Sequence, residues 1–591
     1  MPTFQRGPEA AEIKGKKTSL GASDISSIAS SAKAMVKGFR QIAVLTAISR
    51  ILGFGRDTAY GIVFGPGTLL DAWNIAFKIP NLGRRLFGEG AASASFIPVY
   101  SQQLHTAPDT AARLANTVIT ALAVVLTGIV LLGEVVIWFL HRFFISSSES
   151  QLALKLTSVT LPYMILICLV AVIAGLLNVH KHFAAPALAP IIMNICIIAG
   201  ALTAAWLFPV KTAEDANKTI SAITYSMDEP AVKQLFTLAV AIIIAGLLEF
   251  AVQLPALHKS GLSLGLAWDI YSQPFRKIIS LMTPMVIGLA VTQINTLADD
   301  LIAWFFSGSP EKGKFFTLFG NQIQYPLWRG SVSCLNFAQH LYQLPLGIFG
   351  ISLATALFPV MSGYAAKKDY RSLCRMVSQG MRGSVFIALP CTIGLILIAK
   401  PFISVWLRHG NFQARHIPDV TWPLAFYSLG ICGYFMQHIV VRAFYSLQDS
   451  KAPLRTGLLA VAINATLNLV LIWFLGTGGL ALSTALCSYI QVMILTFILH
   501  KRLGNSLMEE FAGTLIKTTL ACGAMTTTAV LILYLFRDLP EGMRFDILRI
   551  AAVVPTAVAV YLLAAKLLRI EMLSLLTGSK KARPQELEEG I

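Results

Sequence analysis

Five basic side chains fall inside two neighbouring apolar segments of this chain. They are Arg50, Arg56, Lys78, Arg84 and Arg85, in the stretch SRILGFGRDTAYGIVFGPGTLLDAWNIAFKIPNLGRRLFGEG (49–90). At the centre of a bilayer each would cost about 2.5–3.5 kcal/mol even on lenient insertion scales, or roughly 12–18 kcal/mol together. A typical protein is held folded by only about 5–15 kcal/mol, so these side chains do not face lipid. They imply a water-filled cavity lined with positive charge, which suits an anionic substrate. Guanidinium forks pair bidentately with carboxylate or phosphate oxygens, the chemistry such a substrate would meet.

Spacing orders these groups further. Arg50 and Asp57 share a helix face, whereas Arg56 points about 120° away from Arg50 on an ideal helix. Gly53 and Gly55 lie between them, where a helix can bend and bring both arginines to one cavity. The competing arrangement is internal pairing of Arg50 or Arg56 with Asp57 or Asp71. In the second segment Lys78, Arg85 and Glu89 form one stripe, with Asp71 further back. Arg84 points about 100° from Arg85, and Pro80 and Gly83 permit another bend. Arg85 with Glu89 reads as a structural salt bridge.

A second constellation is acidic and amidic. Asp299 and Asp300 are adjacent, Asn464 and Asn468 are four residues apart on one apolar segment, and Thr484 lies on the next. Converging carboxylate, amide and hydroxyl oxygens suit a hard ion such as Na⁺. The same groups also serve as interhelical hydrogen bonds, and the Asp299–Asp300 pair permits H⁺ coupling instead.

The elements that carry these residues are membrane spans. The 591 residues are 55% hydrophobic and 13% charged, with mean hydropathy +0.67, which describes a polytopic membrane protein. The formal charge of +17 follows from positive-inside topology rather than from nucleic acid, because no soluble stretch is long enough to carry a basic face. Eight cysteines are scattered singly, indicating neither disulfides nor a zinc site. Gly15-Lys16 continues with Lys17 and lacks the glycine-rich loop of an ATP site. No catalytic constellation stands out, so the chain is not expected to be an enzyme or to need a cofactor beyond Na⁺ or H⁺.

Apolar stretches give fourteen expected helices: 38–64, 69–103, 112–140, 152–179, 184–208, 235–258, 275–307, 327–361, 383–407, 420–447, 454–475, 478–500, 513–536 and 545–568. Loops after even-numbered helices are rich in Lys and Arg, which places both termini inside. Residues 1–37 read as a disordered cytoplasmic tail without a signal peptide, and 569–591 as a second tail.

An internal repeat is visible. FGEGAASASFIPVYS (87–101) resembles FGISLATALFPVMS (349–362), and Asn178 to Pro186 repeats the spacing of Tyr445 to Pro453. The copies lie six helices apart, so the repeat is parallel. The expected architecture is all-α: an N-lobe (38–258), a pseudo-symmetric C-lobe (259–500) and two further helices (501–568), in an alternating-access layout.

The 49–101 block, LPYMILICLVAVIAGLLNVHKHFAAPALAPIIMNI (161–195) and GSVSCLNFAQHLYQLPLGIFGISLATALFPV (330–360) resemble the MurJ (MviN) family of the MOP exporter superfamily. The resemblance spans about residues 40–565. It implies a flippase that carries lipid II, the undecaprenyl-pyrophosphoryl muropeptide, across the bacterial inner membrane, with the last two helices forming a lipid-tail groove. It also implies a monomer whose partners are that substrate and membrane lipids. By the same resemblance Arg50, Arg56 and Arg84 contact the pyrophosphate, with Asp71 and Lys78 in the same site. Asp299, Asn464, Asn468, Thr484 and the Leu480 carbonyl correspond to a family sodium site. The chain departs from the family where Gln339-His340 replaces an Asp-Arg pair. His340 stands in for that arginine either as a protonated contact or as a neutral donor, and Arg329 is the next candidate. Competing functions are export of another polyprenyl-linked oligosaccharide, MATE-like drug export, or an intramembrane transferase or phosphatase. A cation exporter would line its N-lobe with carboxylates and aromatics, and an enzyme would need an acidic or nucleophilic loop motif.

Overall fold

The chain was analysed as a computed structural model that describes residues 22–87, 93–210, 228–504, 508 and 510–576. The first lobe comprises α1 (Ala22–Val63), α2 (Thr68–Gly83), α3 (Ser93–Thr106), α4 (Pro108–Phe143), α5 (Ser148–Thr160), α6 (Tyr163–Val179), α7 (Ala184–Leu207) and α8 (Pro230–Lys259). The second comprises α9 (Gln273–Phe305), α10 (Ser331–Pro345), α11 (Ile351–Ala366), α12 (Tyr370–Leu407), α13 (Ile417–Leu429), α14 (Ile431–Ser446), α15 (Lys451–Leu475) and α16 (Thr477–Leu503). Then come α17 (Phe511–Leu535), α18 (Met543–Leu567) and the short α19 (Glu571–Leu576).

Ten of these elements are long and apolar enough to cross a membrane, or twelve if each of two bent pairs is one span. The expected segments 38–64 and 69–103 are not among them. The first carries Arg50, Arg56 and Asp57, and the second is divided between the 16-residue α2 and α3, with residues 88–92 outside the described residues. The first helix begins at Ala22, so residues 22–37 of the expected tail are helical. Residues 1–21 and 577–591, and most of the 209–234 loop, lie outside the described residues.

The repeat is visible in the breaks. Within the second expected span, α2 passes into a π-helical turn at 84–87. Its counterpart in the second lobe passes from α10 into a π-turn at Leu346–Gly350. The fourth span bends by 41° between α5 and α6, and the tenth by 42° between the 414–429 helix and α14. Two like irregularities at equivalent places argue for one ancestral six-helix unit, since kinks arise from specific local causes. Within the first lobe α7 packs on α8 and α1; within the second α15 packs on α16 and α13 on α16. The α17–α18 hairpin packs on α12 through its own apolar cluster, which includes Phe386, Met525 and Tyr561.

The chain is not helical throughout. Between α9 and α10, β1 (Ser307–Gly308) pairs in parallel with β4 (Leu327–Trp328). Between them β2 (Phe315–Leu318) and β3 (Asn321–Gln324) form an antiparallel hairpin. The expected eighth helix (327–361) therefore starts only at Ser331.

One end of the bundle is closed by contacts between the lobes. Asn411 donates its backbone N–H to Ile62 O at 3.0 Å and its side-chain amide to Val63 O at 2.6 Å. Gly410 adopts φ +56°, and a β-carbon there would strike the backbone of Ile62, so only glycine lets the two segments approach. Trp406 donates to Phe54 O at 3.2 Å and packs edge-on against the Phe54 ring. At the opposite end α9 leans on α3, where Lys277 donates to Gln102 at 3.3 Å in an exposed contact.

Candidate functional site

Between the lobes lies a cavity of about 320 Å³, which both the basic stripe and the acidic constellation reach. Its wall carries four cations, Arg56, Lys78, Arg84 and Arg85, against two carboxylates, Asp57 and Asp299, with His340 opposite. The sequence placed these charges away from lipid, and the fold brings them to one space.

Each cation is held in place. The Arg56 guanidinium donates to Asp57 Oδ1 through Nε at 3.1 Å and Nη2 at 2.9 Å. Its Nη1 reaches Asn194 Oδ1 on α7 at 3.3 Å, and Asn194 in turn donates to Ser49 O at 3.1 Å. Arg56 therefore pairs within α1, as the competing sequence reading allowed, yet still borders the cavity. Arg84 donates to Asn81 Oδ1 at 2.9 Å. Gly83 before it packs so closely on Met164 that a β-carbon would collide. That contact presses the π-turn onto α6 and fixes where Arg84 emerges. Arg85 donates to Gln293 on α9 at 3.1 Å, across the lobe boundary. Glu89, its expected partner, lies outside the described residues.

Several expected site residues do other work. Asp71 does not line the cavity. It is fully buried and accepts from Gly330 N at 2.6 Å, Ser333 N at 2.8 Å and Ser333 Oγ at 2.6 Å. A short acceptor suits this place because the first N–H groups of α10 have no partner in their own helix. Asp71 thus caps the first turn of α10 in the opposite lobe. Lys78 borders the cavity but forms an ion pair with Asp300 of α9, so much of its charge is committed. Arg329 is also removed from the site. It is buried against Glu149 at 2.9 Å, donates to Trp304 O at 2.7 Å and stacks on the Trp304 ring. Arg50 is exposed on α1, outside the cavity wall, and its guanidinium lies beside Gly347 of the second lobe.

His340 reaches the cavity from α10, but it does not face the arginines unaccompanied. Its Nδ1 is 2.8 Å from Asp57 Oδ2. The chain Arg56–Asp57–His340 runs from one lobe to the other. Gln339, its neighbour, also borders the cavity and donates to Tyr427 at 3.0 Å.

The oxygen constellation converges as expected. Asp299 on α9 accepts from Asn468 Nδ2 at 2.6 Å and from Thr484 Oγ1 at 3.3 Å. Asn464, turned so that both ends of its amide are satisfied, brings its nitrogen 2.9 Å from Asp299 Oδ1. Thr484 and Ser483 both donate to Leu480 O, at 3.1 and 2.9 Å. The donor set is hard and oxygen-rich, and it fits a monovalent cation. As it stands the carboxylate is satisfied by amide and hydroxyl donors, so an ion would enter by turning amide oxygens inward.

Asn194, Gln293 and Asp300, which position the cations, were harder to read. Their signal is a polar side chain in an apolar span, which usually faces protein rather than lipid.

Comparison with known proteins agrees with this arrangement. The family described as lipid II flippase MurJ matches residues 61–550. The chain is 29% identical over 512 residues to a probable lipid II flippase MurJ of Vibrio cholerae, covering 84% of this chain and 89% of that protein. It is 28% identical over 467 residues to the lipid II flippase MurJ of Burkholderia cenocepacia, covering 77% and 82%. Among solved structures it resembles a lipid II flippase MurJ in an inward closed conformation, with TM-score 0.67, 23% identity and coverage of 90% and 99%. An inward-facing multidrug MATE transporter of the MOP superfamily shares the fold more distantly, with TM-score 0.57, 11% identity and coverage of 78% and 98%. The fold is thus shared with these solved structures, and the chain belongs to the lipid II flippase MurJ family.

Proposed function

We propose that this chain is a lipid II flippase of the bacterial inner membrane, with both termini in the cytoplasm. The observation that carries the reading is the cationic wall of the inter-lobe cavity, on which Arg56, Lys78, Arg84 and Arg85 converge. A pyrophosphate brings negative charge to this wall and accepts bidentate guanidinium bonds. A MATE-like exporter of cationic drugs would need the opposite polarity.

The mechanism follows from the contacts. Arg56 and Arg84 hold the pyrophosphate. Phosphate oxygens compete with Asp57 for Arg56, which frees the carboxylate to hold His340 alone. The contacts that close the lobes at the α1–α2 end then rearrange, and the headgroup passes to the other side. Arg50, near Gly347, contacts the headgroup at the cavity mouth. The α17–α18 hairpin, packed on α12, borders the polyprenyl tail. Asp299, Asn464, Asn468 and Thr484 would hold Na⁺, which would supply charge that biases the lobes between states. Through their hydrogen bonds the same residues tie α9 to α15 and α16.

The test is complementation. Cells depleted of their own lipid II flippase should grow when this chain is expressed and fail with the Arg84→Ala variant. Failure of the wild-type chain, once it is shown to be inserted in the membrane, removes the substrate assignment.

A further inference from the structure

The β2–β3 hairpin carries an aromatic side chain at a place that disfavours one. Its tip, Leu318-Phe319-Gly320-Asn321, has φ +50° at Phe319 and +83° at Gly320. Two successive left-handed residues define the hairpin turn that ordinarily selects Asn-Gly or Asp-Gly. A bulky residue in that conformation is a backbone outlier, and such strain persists where the side chain has a use. Phe319 is 95% exposed, so packing within the protein does not provide that use.

The hairpin is amphipathic in register. Phe316 pairs across from Ile323, and Leu318 lies on the same face toward the tip. The other face carries Thr317, Gln322 and Gln324, with Phe315 at its base. The apolar face does not point at random. The Phe316 ring lies 6.2 Å from Trp473, which in turn meets Phe306 at 5.8 Å. Trp473 and Phe474 end α15, and both are exposed, as are Leu469 and Val470 a turn earlier. Exposed apolar residues on a spanning helix face lipid, and aromatic residues at its end mark the membrane–water boundary. The hairpin therefore continues a lipid-facing aromatic belt, with exposed Lys314 at its base to meet headgroup phosphates.

We propose that the 315–324 hairpin lies in the lipid interface at the closed end of the bundle, with Phe319 inserted among the lipids as its anchor. Lipid is favoured over a protein partner because the hairpin's apolar face runs straight into the lipid-facing end of α15. The surface is set by the protein itself and does not depend on which substrate is carried.

The test uses the full chain in vesicles of phosphatidylethanolamine and phosphatidylglycerol. A bimane label is placed at Phe319→Cys or at Gln322→Cys, with the signal of labelled wild type subtracted. The label at 319 should be quenched several-fold more by nitroxide-bearing lipid than by aqueous iodide, and the label at 322 should show the reverse. Equal access of iodide to both positions overturns the proposal. So does a 319 label shielded from both quenchers, which would mean that protein covers the tip. Phe319→Asn provides an independent arm, since Asn accepts the left-handed turn and keeps the hairpin. A label at Leu318→Cys should lose its lipid quenching in the Phe319→Asn background. Unchanged quenching there removes Phe319 as the anchor.

Discussion

His340 Nδ1 on α10 stands 2.8 Å from Asp57 Oδ2 on α1, while Asp57 Oδ1 holds the Arg56 guanidinium at 2.9 Å. One carboxylate therefore spans a guanidinium of the first lobe and an imidazole of the second. The sequence resemblance implies an arginine at position 340, so the contact can be tested by introducing one. His340→Arg should keep transport, because a guanidinium reaches the same carboxylate. His340→Ala should lower it about ten-fold, the scale of one lost close contact to a carboxylate. A His340→Ala variant that flips at the wild-type rate would leave Asp57 as a partner of Arg56 only.

The arginines should separate by position. Arg56→Ala and Arg84→Ala remove groups on the cavity wall, each a phosphate contact of roughly 1.5–3 kcal/mol, and should abolish flipping without loss of insertion. Lys at either position should restore only part of it, since it lacks the fork. Arg50 lies outside the wall, beside Gly347. Arg50→Ala should weaken capture of lipid II while leaving slow flipping at saturating substrate. Complementation by all three Ala variants would remove the pyrophosphate site from this cavity.

What the sequence made legible was periodic or local. Apolar length marked the spans, and the prolines at 98 and 359 marked the repeat that the π-turns at 84–87 and 346–350 now display. The convergence of Asp299, Asn468 and Thr484 was readable because each is a polar group stranded in an apolar helix. The partners across the lobe boundary were not readable. Lys78 meets Asp300 across 222 residues, and Asp71 meets Ser333 across 262. No periodicity links such positions, and a carboxylate looks the same whether it binds substrate or caps a distant helix. Gly330, at φ +103° before α10, was the one local hint that a helix start needed an outside acceptor.

Sodium coupling makes a conformational prediction. If Asp299, Asn464, Asn468 and Thr484 hold Na⁺, replacing it with choline should change the yield of a cysteine cross-link between α3 and α9. Asp299→Ala should erase that sensitivity. A wild-type cross-link indifferent to Na⁺ would leave these residues as hydrogen bonds that tie α9 to α15 and α16.

The closed end should be governed by Asp71. Its carboxylate is fully buried and accepts three hydrogen bonds from the start of α10. Asp71→Ala leaves the Gly330 and Ser333 N–H groups without that acceptor, and each orphaned buried donor costs about 1–3 kcal/mol. Part of that cost is recovered when the lobes part and water reaches the freed groups. The variant should therefore shift the lobes toward opening at this end by a factor of about ten or more. A disulfide cross-link between Ile62→Cys and Asn411→Cys reports the distance, because the wild-type backbones meet there at 3.0 Å. Its yield should fall in Asp71→Ala, and Asp71→Asn should fall less, since its amide keeps one acceptor oxygen. Arg329→Met provides the comparison at the same end, as it removes the buried guanidinium paired with Glu149. It should destabilise the whole chain, by roughly 3–5 kcal/mol, rather than only part the lobes. If Asp71→Ala cross-links as fully as wild type, the lock resides elsewhere and Asp71 merely caps α10.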